Sequence, residues 1–501
     1  MVLVAVLAVL AAVLPSVVST PPTVVHRVVV VTPAPSPGAP GLTVGGVHCG
    51  PGVRQVPWSA YAPMCMPAWH GDNGGATAPG VTATTITLTY RQPPRSTEGE
   101  LTSLIPPAAS GTTQQVIQTM EAEVATFNST FELYGRRVVL RPYLGRGDVV
   151  AELSGTGQAA AAADAAEAVR QHAFADSSGI GATPVYEAAL AARQIIGIGP
   201  AGLAASGSPY LYSTGPACAK TAEATVRLVE QSLAPTTVSY AGGDLNGRRR
   251  VFGLVDARPS ASAACTRALT AGLGAIGVRP LTVGPLSLGA PTVTADVRRA
   301  VVAMKGAGVT TVLCTTCGPF VPALLTRAAE QIGYSPEWVQ SSGLDALGVL
   351  QPWSEASHSV ALGAPAVALA GTEAEHAFDL SAPAGAKPAP DAADVYAPLV
   401  LFFDALQAAG PDLTPSSFGA GLRTLAPSLD GAMFGRWTFG PRAHDPNATY
   451  GLVRFSPTVL SPLDQSPGAW VACNGGARYA YAPEEPPQLP RAKPLDCPPA
   501  G

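Results

Sequence analysis

The stretch 173-AFADSSGIGATPVYEAALAARQIIGI-198 contains a complete strand–helix–strand pattern. Apolar runs at its two ends predict strands, and the periodicity between them predicts a helix over 183–193. Thr183 is a natural N-cap, and Pro184 suits the first position of a helix. Two strands joined by a helix predict a βαβ unit, in which the strands run parallel.

The same alternation continues in both directions along the chain. The predicted strands are Ile86–Tyr90, Arg137–Pro142, Ala173–Ser177, Gln194–Ile198, Val251–Asp256, Leu281–Val283, Thr310–Leu313 and Trp338–Gln340, and the predicted helices are 113–129, 159–172, 183–193, 217–233, 262–274, 294–307 and 319–332. Strand–helix alternation of this length indicates an α/β fold with two doubly wound parallel sheets covered by helices. A chain of 501 residues with 47% apolar content can fill two such cores.

The charge of the chain excludes one class of partner. The formal net charge is −4, and only 13% of the residues are charged. This composition provides no basic face for a nucleic acid and no block of like charge for a membrane surface. We therefore expect no nucleic-acid partner.

The two ends of the chain differ in composition from its middle. Residues 1–19 form an apolar run typical of a signal or anchor segment, but no Lys or Arg precedes it. Either the true start lies upstream or the segment stays uncleaved as an anchor, and the protein is expected in the cell envelope or outside the cell. Residues 20–79 are expected to be a Pro/Gly-rich extended linker, with folded structure beginning near Gly80, and residues 481–501 a disordered Pro-rich tail.

Eight cysteines in an exported chain suggest disulfides, because that compartment is oxidising. Eight cysteines allow about 105 pairings, so proximity along the chain only orders the alternatives. The pairs that proximity favours are Cys49 with Cys65, Cys218 with Cys265, Cys314 with Cys317, and Cys473 with Cys497. His48 and His70 flank Cys65, which leaves a metal site open there, although no compact ligand spacing supports it.

A G-x-G-x-x-G string at 197–202 is similar to a dinucleotide-binding loop. That loop must open a helix, because free N–H groups and the helix dipole hold the pyrophosphate. After Gly202 only four residues precede Gly207-Ser-Pro209, too few for a crossover helix. Glu223 has the spacing of the ribose-binding acid but lies in a helical pattern. We expect a Gly-rich turn and no cofactor.

Several short segments, in their order along the chain, resemble the type 1 periplasmic binding proteins, in the branched-chain amino acid branch of the ABC-transporter solute receptors. These segments are Gly80–Leu88, Phe131–Leu140, Asp164–Val169, Ala182–Glu187, Gly333–Trp338, Tyr396–Leu406 and Ala409–Leu413. The resemblance covers roughly residues 80 to 460. It implies two lobes joined by a three-strand hinge, with lobe one at 80–216 plus 365–440 and lobe two at 217–364 plus 441–480.

The resemblance also implies a function and partners. A small polar solute would be trapped between the lobes and delivered to the membrane permease of an ABC transporter. The receptor would act as a monomer, and it would not be an enzyme. Two alternatives remain: an envelope-anchored sensor or scaffold with the same fold, and an oxidoreductase that uses flavin or a dithiol.

Ligands of parallel α/β sheets bind at the carboxyl ends of the strands. The candidate ligand-binding residues are therefore Arg91, Ser178, Gly181, Ala182, Thr183, Ala201, Gly202, Leu203, Arg258, Cys317 and Ser342. The helix that starts at Thr183 can present an electropositive end to a ligand carboxylate, or Thr183 can be an ordinary cap. Arg91 and Arg258 can meet an anionic group or lie solvated on the surface.

Two departures from the family weaken the case for an amino-acid ligand. Leu203 stands where the amino-acid receptors have a hydroxyl residue, and no aromatic cleft residue is found near Ala257–Ser262.

Catalytic motifs give little support to an enzyme. Cys314-Thr-Thr-Cys317 resembles the placement of a thioredoxin-type pair at the start of a helix, with a structural disulfide as the alternative. The hydrolase motifs G-x-S-x-G and H-E-x-x-H do not occur, and the seven His residues are scattered. We expect neither a catalytic site nor a metal site.

Overall fold

The computed structural model describes residues 31–94, 111–153, 156–199, 207–258, 260–287, 290, 292–317, 321–341, 354–365, 367–462, 465–482 and 488–498. The strands are β1 (Gly41–Leu42), β2 (His48–Cys49), β3 (Thr85–Gln92), β4 (Arg137–Leu144), β5 (Ala175–Asp176), β6 (Ile196–Gly199), β7 (Leu211–Ser213), β8 (Phe252–Arg258), β9 (Leu281–Ser287), β10 (Thr311–Cys314), β11 (Glu337–Ser341), β12 (Ser359–Gly363), β13 (Thr449–Leu460), β14 (Pro467–Ala472) and β15 (Tyr479–Ala480). The α-helices are α1 (Thr113–Thr130), α2 (Val149–Leu153), α3 (Gln158–Arg170), α4 (Pro184–Ala191), α5 (Cys218–Leu228), α6 (Ser260–Ala275), α7 (Val293–Gly306), α8 (Val321–Gln331), α9 (Glu373–Asp379), α10 (Ala392–Ala409) and α11 (Pro415–Thr424).

Lobe one is built on five parallel strands in the order β4-β3-β5-β6-β7. The central strand β3 alternates Thr with Ile, Leu and Tyr, and its middle residues are all buried. Burial on both faces is typical of a parallel strand that has helices above and below it. The α/β prediction is therefore confirmed for this lobe.

Lobe two repeats the same winding. Its parallel strands follow the order β9-β8-β10-β11-β12, and the antiparallel strands β13 and β14 extend the sheet beyond β12. Both lobes thus have the 2-1-3-4-5 order of a doubly wound fold. The antiparallel extension was absent from the predicted elements.

Helices cover both faces of each sheet. In lobe one α1, α10 and α11 contribute to one core and α3 and α4 to another, whereas in lobe two α5 and α6 pack on one face and α7 and α8 on the other. Among the described helices, α10 alone is long and apolar enough to span a membrane, and 78% of its residues are buried. An all-round apolar helix of this kind is expected at the centre of a core.

The expectation of an extended linker over 20–79 is wrong for the residues that the structure describes. From residue 31 onward the segment folds against lobe one, where Val56, Tyr61 and Ala62 join the main hydrophobic core. The hydroxyl of Ser59 donates to Glu373 at 2.6 Å, and β1 pairs with β2. The composition suggested a linker because the segment is rich in Pro and lacks the periodicity of a helix or strand. Such a segment can still fold when some of its side chains are buried in a core.

The expectation of a disordered tail is also wrong for residues 488–498. Leu489 and Leu495 are buried in the core of lobe two, and the amide of Ala492 donates to the carbonyl of Gln231 at 2.7 Å. Two leucines and a disulfide therefore hold this tail on the lobe.

The chain passes between the two sheets three times, after β7, after β12 and before β13. Polar bonds tie the first of these crossovers to the third. Lys220 Nζ lies 2.7 Å from an Asp445 carboxylate oxygen and 2.7 Å from the carbonyl oxygen of Asn447, and the Asn447 amide donates to the carbonyl of Thr214 at 2.9 Å. The amide of Ser213 also donates to the carbonyl of His444 at 2.8 Å, so several polar bonds hold the crossovers of the hinge together.

Candidate functional site

The strand order of each sheet reverses at one point, and doubly wound folds have a crevice at the carboxyl ends of the strands that flank such a reversal. In doubly wound folds this crevice is where ligands bind. In lobe one the reversal lies between β3 and β5, next to Arg91 and Ser178. In lobe two it lies between β8 and β10, whose last residues are Arg258 and Cys314. These two crevices define the candidate site.

Arg91 lies at the end of β3, but its side chain is fully buried. Its guanidinium pairs with Glu152 through Nη2 at 2.7 Å and Nη1 at 2.9 Å, and with Asp164 through Nε at 2.9 Å. The ring of Tyr186 packs 4.3 Å below it, measured from Cζ to the ring centroid. The structure thus differs from the expectation of a solvated arginine: Arg91 meets anionic groups, and they belong to this chain.

The start of α4 agrees with the sequence pattern. Thr183 is the N-cap, its Oγ accepts from the amide of Tyr186 at 3.2 Å, and Pro184 occupies the first turn. The Thr183 hydroxyl also donates to Glu152 Oε2. Gly181 contributes its carbonyl, which accepts from Arg91 Nη1 at 3.1 Å. The electropositive end of this helix therefore faces a carboxylate of α2.

Asp176 ends β5 in the middle of this cluster and is fully buried. Its carboxylate accepts hydrogen bonds from Thr89 at 2.7 Å, from Tyr186 at 3.0 Å and from Ser178. Burial raises the pKa of Asp176 to about 6, although the three hydroxyl donors and Arg91 lower it. Desolvation therefore outweighs the hydrogen bonds, as it does for carboxyl groups in closed apolar surroundings.

Replacing Asp176 by asparagine should change how stability depends on pH. Because the folded pKa is raised, the folded chain keeps a proton that the unfolded chain loses near pH 4, so stability falls as pH rises from about 4 to about 6. The loss amounts to about 3 kcal/mol for a shift of about two pKa units. Urea unfolding at pH 4, 5, 6 and 7 measures this effect. Between pH 4 and pH 6 the free energy of unfolding of Asp176→Asn should increase relative to that of the wild type.

The matched control is Asp379→Asn, which changes an exposed aspartate at the end of α9. This variant removes one negative charge from the surface and measures the general effect of such a charge on stability at each pH. If Asp176→Asn differed from the wild type by the same amount at every pH, burial would not raise the pKa of Asp176.

Glu187 is a second buried acid at this edge. It lies on α4 beside Gly199, the last residue of β6, where any side chain would collide with its Oε1 atom. Burial, followed by repulsion from Asp176, raises the pKa of Glu187 well above its usual value. Its Oε2 atom has no hydrogen-bond partner in the structure. A buried carboxyl group with one unpartnered oxygen therefore lies at the carboxyl end of β6.

The corresponding edge of lobe two carries a disulfide. Cys314 and Cys317 are joined at the end of β10, and both are buried. The turn between them is fixed by hydroxyl contacts, since Thr225 donates to Thr315 at 2.9 Å. Redox-active cysteines are partly exposed to solvent, so the burial of both sulfur atoms favours the structural interpretation of this motif over the redox one.

The eight cysteines form four disulfides in the structure. The pairs are Cys49–Cys65, Cys218–Cys265, Cys314–Cys317 and Cys473–Cys497, the same pairs that proximity favours. In the described part of the chain, no group of three or more His, Cys, Asp or Glu side chains is arranged to hold a metal ion.

Several candidate residues lie outside the described residues. They are Ala201, Gly202 and Leu203 of the Gly-rich turn, Ser342 after β11, the segment 1–19 and residues 20–30. Arg258 is described only as the last residue of β8. Ala182 is buried between the short helical turn at Gly179–Gly181 and α4.

Sequence reasoning missed the acids of this site. Of the four, Asp176 alone carried a readable signal, because it directly follows the apolar residues of a predicted strand. Asp164 and Glu187 lie in helical patterns, where an acid normally indicates a solvated face. Glu152 lies on α2, whose five residues are too few for a periodicity to reveal.

Comparisons with known proteins agree with this architecture. Residues 148–458, more than half of the chain, match the periplasmic binding protein family. A search of curated proteins finds no match.

Among solved structures, the fatty acid ABC transporter substrate-binding protein from Thermomonospora curvata is 14% identical with a TM-score of 0.55, and the match covers 84% of this chain and 99% of that one. The leucine-, isoleucine-, valine-, threonine- and alanine-binding protein from Brucella ovis is 13% identical with a TM-score of 0.53, covering 81% and 97%. A solute binding protein of an ABC transporter from Rhodopseudomonas palustris, in complex with 3,4-dihydroxy benzoic acid, is 11% identical with a TM-score of 0.53, covering 79% and 98%. At these identities the likeness shows a shared fold, and together with the family match it establishes that this chain belongs to the periplasmic binding proteins, a family of solute receptors rather than enzymes.

Proposed function

We propose that this protein is an exported receptor that closes two lobes over a small polar solute and delivers it to the membrane permease of an ABC transporter. The observation that carries the proposal is the repeated winding of the two sheets. Each lobe has one reversal of strand order and therefore one crevice, and three crossovers connect the lobes. A solute that contacts both crevices would favour the closed state by its extra affinity for that state.

In this proposal, lobe one comprises 80–216 plus 365–440, and lobe two comprises 217–364 plus 441–480. The receptor would act as a monomer. The polar bonds of Lys220 and Asn447 lie where the lobes join, so that they would stay close to the axis of closure.

Export is supported by the apolar run at 1–19 and by the four disulfides, which persist in an oxidising compartment. The solved structures of similar fold are described as binding a fatty acid, branched-chain and small amino acids, or 3,4-dihydroxy benzoic acid. This range of ligands means that the side chains of the two crevices, and not the fold, select the solute.

A solute screen tests the proposal. A true ligand binds only the folded chain, so it should raise the melting temperature, with a stabilisation of about 2.7 kcal/mol at a concentration one hundred times the Kd. Amino acids, short amides, urea-like compounds and aromatic or organic acids form the first library.

Hydrogen exchange then locates the ligand. Protection should rise at the carboxyl ends of β3 and β5 and also at those of β8 and β10, because a trapped solute touches both lobes. Protection confined to one lobe, or a library without a single positive, would contradict the receptor function.

A further inference from the structure

The start of α4 and the end of β3 together form an anion position. Three donor groups converge there: the Nη1 and Nη2 atoms of Arg91 and the hydroxyl of Thr183. A planar guanidinium that binds both oxygens of a carboxylate, with a hydroxyl donor beside it, is a complete two-oxygen site for a carboxylate. The position lies at the crevice of lobe one, where a solute would be expected.

A carboxylate of the chain itself fills this position. Glu152 belongs to the short helix α2, whereas the donors belong to β3 and to the N-cap of α4. Both oxygens of Glu152 are engaged, and its side chain is fully buried. Gly147 leaves space for the contact, because a Cβ atom there would collide with Glu152 Oε1 and Arg91 Nη2.

The charge of the cluster disfavours a second anion. Arg91 already pairs with both Glu152 and Asp164, so its one positive charge faces two negative ones. A solute carboxylate beside this cluster would meet uncompensated negative charge, which is a means of rejecting the wrong ligand.

The same edge offers a partner for a neutral group. Glu187 Oε2 is buried and has no hydrogen-bond partner in the structure, and it lies at the carboxyl end of β6. A carboxyl group can accept from an amide or amine N–H, and when protonated it can also donate to an amide oxygen. This free oxygen is therefore available to the N–H of an amide- or amine-bearing solute.

We propose that Glu152 is a specificity-determining residue, an internal carboxylate that fills the anion position of Arg91 and Thr183 and so restricts lobe one to neutral or cationic polar solutes. The solute class rests on the proposed receptor function. The occupancy of the anion position does not, so the two parts can be tested separately.

Chemical rescue tests the occupancy. Glu152→Ala removes the carboxylate and leaves Arg91 and Thr183 facing an empty space, so the variant should melt several degrees below the wild type. Sodium acetate at pH 7 should restore several degrees, because acetate can take the vacated position, whereas acetamide at the same concentration should not. The wild type should not be stabilised by acetate, and any response of the wild type to acetamide is subtracted from that of the variant. Equal responses to acetate and acetamide, or none, would overturn the proposal.

Two further variants serve as controls for the acetate rescue. Glu121→Ala removes an exposed glutamate on α1 and should show no acetate effect. Glu152→Gln keeps a side chain in the position and should also fail to respond. If Glu152→Ala is recovered unfolded, refolding from urea is followed by far-UV circular dichroism: recovery in acetate alone supports the proposal, and failure in both acetate and acetamide counts against it.

Matched acid and amide pairs test the solute class on the purified full-length protein. Propionate with propionamide, benzoate with benzamide, and leucine with leucinamide are suitable pairs. The wild type should bind the amide member of a pair at least ten-fold more tightly than the acid, and Glu152→Ala should narrow or reverse this ratio. Tighter binding of the acid by the wild type would overturn the specificity role alone. Binding of no solute by either protein would instead remove the receptor function, and the acetate result would still decide the occupancy.

Discussion

Replacing Arg91 by methionine should destabilise lobe one by about 3–5 kcal/mol, because it would leave two buried carboxylates without their cation. Both partners, Glu152 and Asp164, have side chains that are almost completely inaccessible to solvent. The methionine keeps an apolar stem over Tyr186, so the loss reports the charge and not the packing. Urea unfolding at pH 7, followed by circular dichroism, measures the change.

Arg170→Met provides the comparison. Arg170 also pairs with a glutamate, Glu167, but this ion pair lies on the solvent-exposed surface of α3. Water already screens such pairs, so that its removal should change stability little. Similar losses in the two variants would mean that the Arg91 cluster is open to solvent.

Removing the disulfide of the tail should have the second large effect. With Cys473 and Cys497 both replaced by serine, we expect lobe two to lose about 3.5 kcal/mol, since the bond closes a loop with a sequence separation of 24 and restricts the unfolded chain. Residues 488–498 would then be held by the side chains of Leu489 and Leu495 and a few backbone bonds. Hydrogen exchange should show lost protection at Ala492.

Replacing Cys314 and Cys317 by serine tests whether loop closure in the unfolded chain explains the loss of stability. That disulfide joins residues separated by only 3 positions, so the entropic part of its contribution is smaller. A larger loss at Cys314 and Cys317 than at Cys473 and Cys497 would show that loop closure does not explain the stability of the tail.

The order of the elements was predictable because apolar periodicity marks most of the strands and helices. The predicted strand Ile86–Tyr90 corresponds to β3, and the predicted helix 183–193 corresponds to α4, with differences of one to two residues at each end. Apolar periodicity carries this information over short distances in the sequence. It does not report long-range packing, which is why the segment 31–79 was misjudged.

The candidate site was predictable in position but not in chemistry. The carboxyl ends of the strands follow from the α/β pattern, and Thr183 was identified as a cap from its own sequence. The partner of Thr183 was not, because Glu152 precedes it by 31 positions on a helix too short to predict. Only the three-dimensional structure shows that the positive end of a helix already has its own anion.

The two ends of this chain pack onto its lobes outside the segment that the family model matches. The family match begins at residue 148 and ends at 458. A fragment cut at those positions would lack β3, the middle of the lobe-one sheet, together with the segment 31–79 that covers the core of that lobe. It would also lack β14 and the leucines of the tail, which would expose the core of lobe two. An expression fragment of this protein should therefore retain the residues from the first cysteine pair to the last.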